Sequence, residues 1–213
     1  MLSKLAAASL LVVGADAFLA PAGGFMASSS LKLRQSAVSS LNMKIGVFYG
    51  TTTGNTEGVA YKIAEKFGVE AEDIASTEPS SFTTFDTLIC GAPTWHTDAD
   101  TERSGTDWDG YLYSDIASLD LKGKKVAFFG CGDSQGYGDN FCDAMGELHD
   151  VFTKTGASVI GMVPVADSVE CEASKAIIND KFVGLATDED NDYDNTDSRV
   201  EKWVAQLKSE GAE

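Results

Sequence analysis

From Met43 onward, short apolar runs alternate with longer amphipathic stretches. The runs predicted to be strands are 44–49, 87–92, 125–130 and 158–163, with 69–74 as a weaker candidate. Helices are predicted at 56–67, 108–118, 140–155 and 197–209. Several strands are apolar almost throughout, as expected when helices cover both faces of a parallel sheet. The repeated strand and helix order predicts an α/β domain with a doubly wound, open parallel sheet of five strands.

The first predicted strand ends in a Thr-rich turn, Gly50-Thr51-Thr52-Thr53-Gly54-Asn55-Thr56, which leads directly into a predicted helix. The first backbone N–H groups of a helix have no partner within the helix, and the helix dipole places partial positive charge beside them. Threonine hydroxyls can donate hydrogen bonds there without adding charge. The turn therefore predicts an anion site suited to a phosphate group.

Other interpretations of this turn fit less well or stay open. A nucleoside triphosphate loop ends in Gly-Lys-Ser/Thr, whereas Gly54 is followed by Asn55. A dinucleotide loop has the spacing Gly-x-Gly-x-x-Gly, whereas Gly50, Gly54 and Gly58 lie four residues apart. A turn without Lys or Arg suits one monophosphate, such as the phosphate of FMN. The turn could also be a Thr-rich N-cap before an ordinary helix.

The loops after the third and fourth predicted strands each carry one large aromatic residue, Trp95 in 91–97 and Tyr137 in 130–140. Ligands of open α/β sheets bind where the carboxyl ends of the strands meet, so these loops should lie beside the Thr-rich turn. Two aromatic faces can sandwich a flat ring such as isoalloxazine. By contrast, four aromatic residues fall on strand or helix patterns and are predicted to lie in the core: Trp108, Trp203, Phe128 and Phe129.

The segment from Val47 to Thr56 resembles the flavodoxin signature, which is hydrophobic-hydrophobic-aromatic-x-Thr-x-x-Gly-x-Thr. The resemblance extends over residues 44–213. Residues 181–191 are similar to the segment that follows the extra loop of long-chain flavodoxins. The resemblance implies a flavodoxin-like fold, FMN as cofactor, and an electron-transfer flavoprotein of the algal or diatom plastid type rather than an enzyme.

The resemblance also implies which residues contact FMN. The phosphate would lie against Thr51, Thr52, Thr53, Gly54, Asn55 and Thr56. Trp95 and Tyr137 would stack on the ring, with Tyr137 nearly coplanar with it. The edge of the ring would meet backbone groups of Thr94, Cys131, Gly132 and Asp133. Pro93, His96 and Thr97 complete the loop around Trp95, and Asn140 with Asp188 or Asp190 would lie near the ribityl chain.

A protein of this kind carries one electron at a time between the semiquinone and hydroquinone forms of FMN, at low potential. No catalytic residue or metal is required, and the four Cys lack the spacing of an iron–sulfur or zinc site. By resemblance, the donor would be photosystem I and the acceptor ferredoxin-NADP reductase, with this protein replacing ferredoxin when iron is scarce.

The loop after Trp95 departs from the pattern of related algal flavodoxins, which often have Gly where Asp98 stands. A Gly there eases a backbone flip beside the flavin, so a different peptide bond could flip in this chain. His96 is also predicted to lie near the flavin, and imidazole gains a proton as pH falls through the neutral range. We hypothesise that protonation of His96 raises the lower of the two reduction potentials.

Residues 1–42 have a different composition from the rest of the chain. Lys4 and the apolar run after it, followed by small residues up to Ala17, predict a signal peptide over 1–17 that is too short to span a bilayer. Residues 18–42 are rich in Ser and Ala without an acidic residue, which indicates a transit peptide. This two-part leader resembles those of diatoms and predicts the plastid stroma. Plain secretion is the alternative, but it would favour paired cysteines, and no paired spacing is present.

The remaining domain, residues 43–213, is strongly acidic. It holds 13 of the 16 basic and 32 of the 33 acidic side chains, since residues 1–42 contain only three basic side chains and one acidic one. The net charge of about −19 disfavours binding to nucleic acid and anionic membranes and favours transient docking to basic partners. We expect a monomer in solution.

Two other protein classes share this α/β pattern. A flavodoxin-like NAD(P)H:quinone oxidoreductase would need room for nicotinamide beside the flavin, where Trp95 and Tyr137 are predicted to lie. A signalling receiver would need acidic residues at the end of the first strand to hold Mg²⁺, and that strand ends in Tyr49 and Gly50.

Overall fold

A computed structural model describes residues 43–212. The predicted signal peptide (1–17) and transit peptide (18–42) lie outside the described residues. The strands are β1 (Ile45–Tyr49), β2 (Ala71–Asp73), β3 (Thr87–Pro93), β4 (Lys125–Cys131), β5 (Ser158–Val159), β6 (Val163–Pro164), β7 (Ile177–Ile178), β8 (Lys181–Phe182) and β9 (Gly184–Thr187). The α-helices are α1 (Asn55–Phe67), α2 (Trp108–Leu112), α3 (Asp143–Lys154) and α4 (Tyr193–Ser209).

The central sheet is parallel, with the strand order β2-β1-β3-β4-β5. β9 also pairs in parallel with β4, beyond the short pairing of β5, so β5 and β9 together form the fifth position. This is the doubly wound, open five-stranded arrangement that was predicted, with the first and second strands exchanged in space.

The two faces of the sheet form separate hydrophobic cores because successive side chains of a strand point to opposite faces. On one face, Phe48 and Phe128 contribute to a cluster that includes residues of α2 and α3. On the other face, Val47 and Phe129 contribute to a cluster that includes residues of α1 and α4. Strands covered on both sides need apolar residues at nearly every position, which explains the continuous apolar runs in the sequence.

The prediction of one strand over 158–163 is wrong. Only Ser158–Val159 pairs with β4, and the chain then turns at Gly161, whose φ is +78°. The indole of Trp203 donates to the carbonyl oxygen of Gly161 at 2.7 Å, and the Gly161 N–H donates to Glu210 at 2.6 Å. These bonds to α4 and its C-terminal cap draw the chain away from the sheet.

Residues 160–183 form an insertion between β5 and β9. It contains a small antiparallel sheet in the order β6-β8-β7. The chain then returns to the central sheet as β9, which was not predicted. The insertion leads into the segment 181–191, with which it shares residues 181–183 and whose resemblance pointed to an extra loop.

Helix boundaries also differ from the predictions. The stretch predicted as a helix over 108–118 is α2 followed by a separate 3₁₀ turn at Ile116–Ser118. α3 begins at Asp143 rather than at residue 140, because Cys142 adopts a left-handed conformation with φ of +56°. α4 begins four residues before the predicted start. No helix within residues 43–212 combines the length and apolar character needed to cross a membrane.

Candidate functional site

A cavity of about 430 Å³ lies at the carboxyl ends of the central strands. Its volume falls in the range of roughly 300–1,000 Å³ that is typical of small-molecule sites. The residues that line it are Thr53, Asn55, Pro93, Thr94, Trp95, Thr97, Cys131, Gly132, Asp133, Tyr137, Asn140 and Asp190. All of them are in the set predicted from the sequence. The remaining predicted residues lie outside the lining: Thr51, Thr52, Gly54, Thr56, His96 and Asp188.

The N-terminus of α1 has the geometry of an anion site. Its N-cap is Gly54, with φ of +93°, and no side chain in the described part of the protein caps the helix. The alternative of a threonine cap therefore finds no support in α1. The Thr51 hydroxyl instead accepts the Gly54 N–H at 3.0 Å, which closes the turn itself. Thr56, in the first turn, is 1% exposed, and its hydroxyl has no hydrogen-bond partner within residues 43–212.

Two aromatic side chains stand beside the cavity with about half of their surface exposed: 50% for Trp95 and 57% for Tyr137. Large aromatic residues are usually more buried than this. Trp95 lies against Gly105, where a Cβ atom would come within 3.0 Å of the Trp95 Cβ and where φ is +64°. The four aromatic residues predicted for the core, among them Trp108 and Trp203, are indeed buried.

The floor of the cavity is held by bonds between the loops. The Thr94 N–H donates to the Cys131 carbonyl at 3.1 Å, and the Thr94 hydroxyl accepts the N–H of Ala144 in the first turn of α3 at 3.0 Å. Cys131 is 5% exposed, as expected for a small buried residue. Burial raises the pKa of its thiol to about 12, although a hydrogen bond with the Thr187 hydroxyl opposes this shift.

Asp188 and Asp190 occupy different places. Asp190 lines the cavity, whereas Asp188 is fully buried and organises the loops behind it. The Asp188 carboxylate accepts the N–H and hydroxyl of Ser134 at 2.8 and 2.7 Å, and the N–H of Asn191 at 2.9 Å. Burial acts to raise the pKa of Asp188, but these hydrogen bonds outweigh it and hold the pKa below its ordinary value.

Asn140 joins the two aromatic loops. Its side-chain oxygen accepts the N–H of Asp98 at 2.9 Å. Asp98 itself is left-handed, with φ of +60°, a conformation that Asp tolerates better than most residues. The chain therefore adopts, with Asp, the backbone region for which Gly is usually favoured.

His96 is exposed and is not among the residues that line the cavity. Its Nδ1 lies in hydrogen-bond contact with the Glu102 carbonyl oxygen and 3.9 Å from a carboxylate oxygen of Asp109. It therefore lies in the loop next to Trp95 without contributing to the cavity wall.

The sequence analysis missed the side chains that hold the loop around Trp95. Asp109, at the start of α2, accepts the N–H groups of Ser104 and Gly105 at 3.1 and 2.8 Å. Glu147, a buried residue of α3, accepts two further N–H groups of the same loop. The sequence did contain one signal for this role: Glu147 places a carboxylate on the apolar stripe of a predicted helix, among Ala144, Leu148 and Val151.

The four cysteines are all free thiols. Among residues 43–212, no group of three His, Cys, Asp or Glu side chains is arranged to hold a metal ion.

Comparisons with known proteins agree with this architecture. The family model for flavodoxin matches residues 47–203. A flavodoxin from Synechococcus elongatus is 45% identical over 171 residues, covering 78% of this chain and 97% of the relative. A flavodoxin from Trichodesmium erythraeum is 46% identical over 171 residues, with the same coverage. A crystal structure of Fusobacterium nucleatum flavodoxin bound to flavin mononucleotide has a TM-score of 0.70 at 30% identity, covering 79% of this chain and 99% of that one.

The fold and the site define a flavodoxin-like α/β protein with a ligand cavity at the carboxyl ends of its strands. The chain belongs to the flavodoxin family. Flavodoxins are electron-transfer flavoproteins, and this class differs from the quinone oxidoreductases and receiver modules considered above.

Proposed function

We propose that the cavity binds FMN and that the protein carries single electrons at low potential. The observation that carries the proposal is the arrangement of one cavity between an uncapped helix N-terminus and two half-exposed aromatic residues, Trp95 and Tyr137. A phosphate suits the first feature and a flat ring suits the second.

The phosphate would be held by the turn from Thr51 to Thr56. Free N–H groups at the start of α1 and the unpartnered Thr56 hydroxyl supply donors, and no Lys or Arg adds charge. A buried hydroxyl without a partner is costly, so a phosphate oxygen that accepts a hydrogen bond from the Thr56 hydroxyl would relieve this cost. A site with neutral hydrogen-bond donors and no Lys or Arg fits the single phosphate of FMN better than the several phosphates of ATP.

The ring would lie between Trp95 and Tyr137, with Thr94, Cys131, Gly132 and Asp133 along its edge. Asn140 and Asp190 line the same cavity, and we assign them to the ribityl chain. Asp188 would act indirectly, because its carboxylate already accepts hydrogen bonds from the surrounding loops.

Bound FMN supplies one-electron chemistry that no protein side chain here provides. The protein adjusts how readily negative charge accumulates on the cofactor. Asp133 and Asp190 line the cavity, and one carboxylate about 10 Å from a negative charge costs about 1.7 kcal/mol at an effective dielectric near 20. For one electron this corresponds to about 70 mV. A few acidic side chains would therefore lower the potential appreciably, before solvent screening reduces the effect.

We further propose the partners and the compartment. The acidic domain would dock transiently, as a monomer, on basic surfaces of photosystem I and of ferredoxin-NADP reductase, in place of ferredoxin under low iron. The leader predicted over residues 1–42 would direct it to the plastid stroma, and the insertion at 160–183 supports the long-chain subtype. Fractionation of cells with N-terminal sequencing tests the proposed leader: absence of the protein from the plastid fraction would contradict import, and a start within the first 17 residues would contradict cleavage.

Cofactor titration tests the proposed binding. Added FMN should quench tryptophan fluorescence with saturation at one equivalent, because Trp95 would stack on the ring. Riboflavin, which lacks the phosphate, should bind markedly more weakly. Equal affinity for both ligands would contradict the assignment of the phosphate site.

A further inference from the structure

In the loop from Thr94 to Asp107, called the Trp95 loop below, one peptide carbonyl pairs the start of the loop with its end. The carbonyl oxygen of Arg103 accepts the N–H of Trp95 at 3.0 Å and the N–H of His96 at 3.1 Å. Arg103 thus pairs with the residue that presents the aromatic face to the cavity. The orientation of the Arg103 peptide groups therefore determines where the Trp95 backbone lies.

Arg103 is itself held by a buried carboxylate on α3. The N–H of Arg103 donates to Glu147 Oε2 at 2.9 Å, and the N–H of Glu102 donates to Glu147 Oε1 at 2.7 Å. The hydroxyl of Tyr113 makes the third bond, to Glu147 Oε1. Two adjacent N–H groups bound to the two oxygens of one carboxylate fix both the position and the tilt of this segment.

The loop needs such an anchor because its conformation is unfavourable on its own. Glu102 is left-handed, with φ of +60°, and so is Asp98, in the same loop. Residues other than Gly are uncommon in this region and remain there only when surrounding contacts hold them. Hydrogen bonds from Glu147 to a left-handed residue and its neighbour are contacts of this kind.

Glu147 is also an unusual residue for its place in the fold. It is 2% exposed, and within residues 43–212 no Lys or Arg lies within salt-bridge distance of its carboxylate. A buried carboxylate is costly unless hydrogen bonds satisfy it. Two of the three groups that donate hydrogen bonds to Glu147 are backbone N–H groups of the Trp95 loop, so packing alone does not account for a carboxylate at this position.

We propose that Glu147 is a positioning residue that fixes the Trp95 loop in the conformation that receives the flavin. The inference rests on the proposed FMN site, and Glu147 would not touch the cofactor, since its buried carboxylate is already occupied by two loop N–H groups and the Tyr113 hydroxyl. Its effect passes through the Arg103 peptide to the backbone of Trp95. Without it, Trp95 would sample positions away from the ring and the flavin would bind less tightly.

The test compares full-length wild-type protein with the Glu147→Gln variant. The amide group of Gln retains one acceptor but turns N–H donors toward one of the two loop N–H groups. We expect FMN to bind about tenfold more weakly, the size associated with one buried donor that loses its acceptor. Hydrogen exchange at the Trp95 and His96 amides should become at least tenfold faster in the FMN-free protein.

Two controls separate positioning from general stability. Val151→Ala truncates a buried residue of the same helix that does not line the cavity, and it should lower stability while leaving amide exchange at Trp95 and FMN affinity close to wild type. Tyr113→Phe removes the third bond to Glu147 without touching a loop N–H, and it should likewise preserve FMN affinity.

Unchanged exchange at Trp95 and His96 in Glu147→Gln would overturn the proposal, as would equal losses of FMN affinity in Glu147→Gln and Val151→Ala at matched stability. If Glu147→Gln does not fold, Glu147→Asp, which withdraws the carboxylate by one methylene, should show the same changes to a smaller extent. A wild-type protein that does not bind FMN would contradict the proposed function, and the exchange measurement would still decide the role of Glu147.

Discussion

At the scale of single residues, Thr56 is the clearest example of a group whose surroundings in the protein do not satisfy it. Its hydroxyl is buried at the start of α1 and has no partner among residues 43–212, and no side chain of these residues caps the neighbouring N–H groups. Thr87 has an equally buried hydroxyl that also lacks a partner in the described part of the chain, but it lies at the amino end of β3, the opposite end of the strand from the cavity. Thr87 can therefore serve as the control for a substitution at Thr56.

We expect Thr56→Val to weaken FMN binding by about 1–2 kcal/mol, roughly a tenfold loss of affinity, because one donor to the phosphate is removed. The free energy of unfolding of the FMN-free protein should stay the same or rise, since an unsatisfied hydroxyl is removed. Calorimetric titration and urea unfolding measure the two quantities. Thr87→Val should resemble Thr56→Val in stability but keep the FMN affinity of wild type. If Thr56→Val lowers the affinity for riboflavin as much as the affinity for FMN, contact between the Thr56 hydroxyl and the phosphate is contradicted.

His96 gives a second prediction at this scale. Because an imidazole gains positive charge as pH falls, a protonated His96 near the flavin should favour the addition of negative charge to it. The lower reduction potential should therefore rise toward acidic pH, and His96→Gln should reduce this dependence. Potentiometry across pH 5–8 measures it. The hypothesis fails if the slopes of wild type and His96→Gln coincide.

At the scale of elements, the loops around the cavity are fixed by three carboxylates: Asp188 and Glu147 are buried, and Asp109 is partly buried. Asp188 follows β9, and its carboxylate accepts the N–H and the hydroxyl of Ser134. These bonds fix the start of the loop that carries Tyr137. Glu147 and Asp109 do the same for the Trp95 loop. The cavity is therefore shaped by residues that lie behind its wall rather than only by those that line it.

The lowered pKa of Asp188 predicts how stability depends on pH. A group whose folded pKa lies below its ordinary value of 3.8 contributes stability that is complete above that value and is lost as pH falls through the folded pKa. We expect Asp188→Asn to cost about 1–3 kcal/mol near neutral pH. Urea unfolding at several pH values should show this difference shrinking below about pH 4.

Asp167→Asn is the matched control, because Asp167 is an exposed acid without a side-chain hydrogen bond within residues 43–212. It should change stability little at any of these pH values. A difference between wild type and Asp188→Asn that stays constant into the acid range would contradict the account of Asp188.

The elements also show what the sequence could and could not predict. The sheet, its order of elements and the Thr-rich turn were predictable because their signals lie in contiguous residues. β9 escaped prediction because Gly184–Thr187 is short and has no alternation to distinguish it. The anchor of the Trp95 loop escaped because Glu102 and Glu147 lie 45 residues apart, and no local pattern reports such a contact.

At the scale of the whole molecule, the net negative charge is the main influence on how the protein associates with redox partners. A net charge of about −19 on residues 43–213 creates a field that attracts basic surfaces from a distance and is screened by salt. The second-order rate of electron transfer to a basic redox protein should fall on the order of tenfold between low salt and 0.5 M salt. Stopped-flow absorbance measures this rate. With an acidic redox protein the rate should instead rise with salt, and a salt-independent rate with both would contradict electrostatic docking.

The central claim, that this chain binds FMN and passes single electrons, is tested most directly by a potentiometric titration of the purified protein followed by visible absorbance. The account predicts that the released cofactor is FMN, that reduction proceeds in two resolved one-electron steps, and that NADPH alone does not reduce the flavin rapidly. A protein that binds no FMN, or one reduced in a single two-electron step with fast bleaching by NADPH, would contradict it.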